Sequence, residues 1–94
     1  MIDTCEVKLG QVVIACAGRD KGRALVVVKI VDTQYVLVAD GDLRRMEQPK
    51  LKKVKHIKRT HTVIDEIALL LTEQKIPLNA DLRKALNDFT FKAE

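Results

Sequence analysis

Aromatic side chains are scarce in this 94-residue chain: Tyr35, Phe89 and Phe91 make up 3% of it, and tryptophan is absent. Proteins that grip single-stranded nucleic acid usually stack bases on aromatic rings, so a function resting mainly on base stacking is disfavoured. Cysteine is nearly as rare. Cys5 and Cys16 stand eleven residues apart without a CxxC spacing, which gives no disulfide framework and leaves both to be read as small buried or half-buried hydrophobes in a reducing compartment. His56 and His61 would complete a set of four ligands, but no pair has finger-like spacing, so no zinc site is expected. No apolar run approaches membrane-spanning length, and the segment Met1-Ile2-Asp3-Thr4-Cys5-Glu6 lacks the basic start and apolar centre of a signal peptide. A cytoplasmic location without membrane contact is the expectation. The thirteen carboxylates are accompanied by no nucleophile motif, metal-ligand cluster or P-loop. The chain is therefore expected to be no enzyme, with no catalytic residue, no cofactor and no small-molecule substrate.

What is present is an ordinary folding composition, 47% apolar and 32% charged, enough for one domain with one core. The chain changes period once. Up to about Ile57 it reads as short β segments: Gln11 to Cys16, Ala24 to Val31, Tyr35 to Ala39, and a last strand over Lys50 to Ile57 with a bulge or 3₁₀ turn near Val54. In the second segment Val26, Val28 and Ile30 share one face while Leu25, Val27 and Val31 share the other with Lys29, so cover is needed on both faces. Asp32-Thr33-Gln34 and Asp40-Gly41 mark turns.

From Thr62 the period becomes helical. Thr62-Val63-Ile64-Asp65 has capping-box form, and a first helix is expected from about Val63 to Gln74. Lys75-Ile76-Pro77-Leu78 breaks it, and Asn79 can cap a second helix through about Asp88, with Leu82, Ala85, Leu86 and Phe89 as its apolar stripe. The reading is a mainly β unit over residues 1–60 and a C-terminal helical extension over 61–94 packed on it, one domain in all. The apolar stripes also suit a dimerisation or partner-binding surface.

Charge is lopsided. Between residues 44 and 59, Arg44, Arg45, Lys50, Lys52, Lys53, Lys55, Lys58 and Arg59 face one acid, Glu47, for a local net charge of +7; the nine cations and twelve acids elsewhere leave −3. Lysines on an edge strand protect it from aggregation, but eight cations in sixteen residues exceed that need and point to phosphate neutralisation. Leu51, Val54 and Ile57 within this run are expected in the core. Upstream, Gly18 and Gly22 bracket the tip Arg19-Asp20-Lys21. Two glycines allow a sharp turn, and Asp20 is expected to bond nearby loop amides, leaving Arg19, Lys21 and Arg23 outward as a cationic knob.

Leu9-Gly10-Gln11-Val12-Val13, Ala17-Gly18-Arg19-Asp20-Lys21-Gly22-Arg23, Val26-Val27-Val28-Lys29-Ile30-Val31-Asp32 and Val36-Leu37-Val38 together resemble the KOW motif of ribosomal and transcription-elongation proteins, with Gly22 at the family's characteristic glycine. The stretch from Leu9 to Ile57 is similar to the large-subunit ribosomal protein group fourteen-e and its small KOW-domain RNA-binding relatives. The resemblance implies an SH3-like β-barrel followed here by two short helices, and RNA binding with contacts from the loop at Arg19, Asp20 and Lys21. A helical tail with four basic and six acidic residues favours a ribosome-associated accessory factor of translation over a constitutive subunit. The expected RNA-binding set is Arg19, Asp20, Lys21, Gly22, Arg23, Arg44, Arg45, Lys50, Lys52, Lys53, Lys55, Lys58 and Arg59. Its expected partner is structured RNA, above all ribosomal RNA, held by phosphate and shape contacts. The rival reading is a protein-interaction module that binds a ribosomal protein or a transcription factor.

Overall fold

The computed structural model describes residues 7–90, with Phe89 and Thr90 described by their backbone alone. Cys5, Phe91 and the Phe89 side chain, to which the sequence assigned places, therefore lie outside the described residues. The elements run β1 (Gln11–Ala15), β2 (Ala24–Ile30), β3 (Tyr35–Ala39), β4 (Lys50–Lys53), a one-turn 3₁₀ helix (Val54–His56), β5 (Ile57–Val63), α1 (Asp65–Thr72) and α2 (Asn79–Thr90). The five strands form one antiparallel sheet in the order β4-β3-β2-β1-β5.

That order corrects the expectation of a single basic strand from Lys50 to Ile57. The run is broken at Val54, as expected, but its two halves lie on opposite edges of the sheet. In a flat sheet those edges would stand ~19 Å apart. The four-residue step from Lys53 to Ile57 spans at most ~14 Å even when extended, and here it is wound into a tighter 3₁₀ turn. The sheet must therefore curl until its edges approach at this corner. Two backbone bonds pin the turn there: the Val54 amide donates to the Gln34 carbonyl and the Cys16 amide to the His56 carbonyl, both at 2.8 Å.

Curling solves the two-faced β2. Its inner face joins Leu25 and Val27 to Val13, Ala15, Val36, Val38 and Ile57, so the sheet covers itself. Its outer face joins Val26 and Val28 to Val12 and Ala39, and there Ile67 of α1 with Leu82 and Leu86 of α2 supply the cover. Alternation past the sheet's rim explains two further departures. Leu51, opposite Leu37 on the outer face of edge strand β4, is half exposed because the helices do not extend that far, whereas Val54 and Ile57 do pack on the core. Cys16 follows buried Ala15 and is exposed.

The helical boundary also moves. Thr62 and Val63 belong to β5, and Ile64 stands at the N-cap of α1 without a side-chain cap, so the capping box does not form. β5 carries two extra residues between the pairs Val13–Arg59 and Gln11–Val63, and Thr60 is drawn into this irregular stretch by donating its Oγ1 hydroxyl to the Val12 carbonyl at 2.7 Å. Asn79 is the first residue of α2, but its carboxamide binds the β3–β4 connection: Oδ1 accepts from the Met46 amide (2.7 Å) and Nδ2 donates to Glu47 (2.9 Å). Gly41 has φ +80, and a Cβ there would collide with the Asn79 carbonyl oxygen. Only glycine lets α2 sit this close to the turn.

Candidate nucleic-acid interface

The loop between β1 and β2 turns as its glycines suggest, with Gly18 at φ +80 and Gly22 at φ +86. The Gly22 amide donates to Ala15 (2.7 Å) and the Lys21 amide to Gly18 (3.2 Å). The loop is no free-standing knob, however. It lies along β4, where Lys52 Nζ donates to the Ala17 carbonyl at 3.3 Å and approaches Asp20 at 3.6 Å.

Asp20 is the main correction to the expected site. It is 5% exposed, and in place of loop amides its Oδ2 accepts from Arg44 Nε (3.2 Å) and faces Arg44 Nη2 (3.1 Å) and Lys52. Burial pushes the carboxyl upward, but the Arg44 guanidinium and the Lys52 ammonium outweigh it and hold the group below its ordinary 3.8. Asp20 is thus a buried anionic anchor that ties the loop to Arg44 and Lys52.

Arg23 is also paired within the fold, although its side chain stays 38% exposed. Its Nη1 donates to Asp40 Oδ2 at 2.8 Å, while Asp40 Oδ1 accepts from the amides of Asp42 and Arg44. Arg44 therefore meets Asp40 through its backbone and Asp20 through its side chain. Lys52 is buried because β4 pairs it with Val36, an inner-face residue. Period-two alternation aims every second side chain at the core, and a lysine can occupy that position when a carboxylate waits there. Asp20 and Asp40 arrive from other segments of the chain, so the pairing of Arg23, Arg44 and Lys52 is not legible in the local sequence.

The remaining predicted cations are exposed: Arg19 and Lys21 on the loop, Arg45 on the β3–β4 connection, Lys50 and Lys53 on β4, Lys55 on the 3₁₀ turn, and Lys58 and Arg59 on β5. Arg45 faces Glu47 at 3.8 Å, and the Asn79 amide and Arg45 lower the Glu47 carboxyl from its usual range. Gly22 is exposed with open space around it, and its φ of +86 shapes the turn. Lys58 and Arg59 pair with Ile14 and Val13 on the far edge, and the curl brings only the start of β5 toward β4.

Where the loop meets β4 and the 3₁₀ turn there is a shallow groove, lined by Ala17, Gly18, Tyr35, Lys50, Leu51, Lys52, Lys53 and His56. Tyr35 and His56 were not in the expected set. Tyr35 pairs with Lys53 across β3 and β4, and Lys53 Nζ stands 6.0 Å from its ring centroid. The neighbouring cations were the available signal, since a strand residue is judged by what lies opposite it. Among the described residues no group of His, Cys, Asp and Glu could hold a metal ion, and no helix is long and apolar enough to cross a membrane. Comparison with family models and with curated proteins finds no match for this chain.

Proposed function

We propose that this chain is a non-enzymatic, ribosome-associated RNA-binding protein of the KOW type that holds structured RNA through phosphate and shape contacts. One observation carries the reading. The glycine-bracketed loop lies against a basic strand whose one inward cation, Lys52, is matched by Asp20, while Arg19, Lys21, Lys50, Lys55 and Lys58 remain exposed without an ion pair among the described residues. Exposed cations left unmatched by the protein's own acids are the ones that release counterions from phosphate. An SH3-like barrel is the proposed underlying form: β4 and β5 are the unpaired edges of the sheet, and the tight corner between them, which brings those edges toward each other there, supports it.

The experiment is a charge reversal restricted to outward residues. Lys50, Lys53 and Lys55 changed together to Glu should leave the circular dichroism spectrum and melting transition in place and abolish binding to ribosomal RNA fragments. Binding that survives in the folded variant would reduce the basic run to a solvated edge.

A specific feature favours a second reading. The groove between α1 and α2 has an apolar lining from Ile64, Ile67, Leu70 and Ala85, and Glu66, Asp81 and Asp88 stand on it against one cation, Lys84. Such a groove suits a basic amphipathic segment of a partner protein. Partners retained in a pull-down after nuclease treatment would support it.

A further inference from the structure

Tyr35 is the sole aromatic residue of the β half of the chain, and it lines the groove between the loop and β4. Its neighbours there are apolar or small: exposed Leu51 on the same face of the sheet, and Ala17 and Gly18 across the gap. Lys50, Lys53 and His56 stand around them, all exposed. An aromatic ring with small and apolar neighbours inside a cationic border suits a planar heterocycle attached to a phosphate. It suits a continuous duplex poorly, since stacked and paired bases do not offer a face. We infer that this groove is a subsite for one unpaired nucleotide of a folded RNA, whose base stacks on Tyr35 while its flanking phosphates meet Lys50 and Lys53.

Lys53 now stands over the Tyr35 ring at 6.0 Å, the outer limit of a cation–π contact, on an exposed side chain. Moving it to a phosphate costs little and bares the ring. Gly18 matters by lacking a side chain, for a Cβ there would meet Lys52 Nζ at 3.5 Å and narrow the groove. The Tyr35 hydroxyl has no hydrogen-bond partner among the described residues and is available to the nucleotide. The inference rests on the RNA-binding reading and adds what that reading lacks, a preference for bulged or looped RNA.

The test uses the full chain and two hairpin RNAs that differ only at a single bulged nucleotide, present in one and abasic in the other. The base should strengthen binding about 5- to 150-fold, the usual range for one base on one aromatic ring. Tyr35→Leu, which keeps apolar bulk, should erase that difference, and Tyr35→Phe should retain it. Equal affinity of the wild type for the two RNAs, or a preference that survives Tyr35→Leu, overturns the subsite while leaving phosphate binding intact. Failure to bind either RNA overturns both. If Tyr35→Leu does not fold, 2-aminopurine at the bulge decides from the wild type alone: quenched fluorescence on binding supports the subsite, and unquenched fluorescence refutes it.

Discussion

Asp20 joins the loop to the basic strand through one buried carboxylate shared by Arg44 and Lys52. Removing it strands Lys52, 9% exposed at the side chain, without a counter-charge, so Asp20→Asn should cost about 3 kcal/mol at pH 7 by chemical denaturation. Because the folded protein holds this carboxyl below 3.8, the unfolded chain takes up the proton first as pH falls. The stabilisation is complete above about pH 5, begins to fall as the unfolded carboxyl takes up protons, and is lost as pH drops through the folded-state value. The gap between wild type and Asp20→Asn should therefore close in acid, and equal stabilities at pH 7 would show the cluster to be idle. Two glycines separate strain from collision. Gly22→Ala meets open space and should lose only the ~1 kcal/mol of left-handed backbone. Gly41→Ala adds the clash with Asn79 and should lose ~2 kcal/mol or more, with α2 loosened from the sheet.

Among the elements, α1 ends on a geometry that its sequence does not favour. The Lys75 amide donates to Leu70 and the Gln74 amide to Leu71, the paired bonds of a Schellman motif, with Gln74 in the left-handed position at φ 63. Glycine is the residue suited to that place, so Gln74→Gly should stabilise the protein by ~0.5–1 kcal/mol in a denaturant titration. The start of α1 misled the sequence reading for a related reason. Thr62-Val63-Ile64-Asp65 has capping form, yet Thr62 and Val63 are held in β5 by pairing with β1, and tertiary hydrogen bonding overrode the local signal. Asn79 tells the same story, its carboxamide bound to Met46 and Glu47. The strands were legible where composition was uniform: β3 begins and ends at the expected residues, and β1 and β2 each stop one residue early.

For the whole molecule, the curl decides which charges act together. It seats the β1–β2 loop on β4 and sends Lys58 and Arg59 along the far edge, so the charge gathered on the loop face is smaller than the +7 of the sequence segment. With about four to six phosphates neutralised, the log–log dependence of RNA affinity on salt should have a slope near −3 to −5. Affinity unchanged between about 50 and 300 mM salt would contradict phosphate binding.

By itself the sequence determined the sharp glycine turn, the need for cover on both faces of β2, the break at Val54 and the amphipathic helices, because each depends on neighbours within a few residues. The tertiary structure alone decided which cations are matched by the protein's own acids. Arg23, Arg44 and Lys52 are neutralised by Asp40 and Asp20, residues 17 to 32 positions away in the chain, and only folding brings such charges within hydrogen-bonding reach. The same long-range approach put Tyr35 and Gly18 on the lining of one cation-bordered groove.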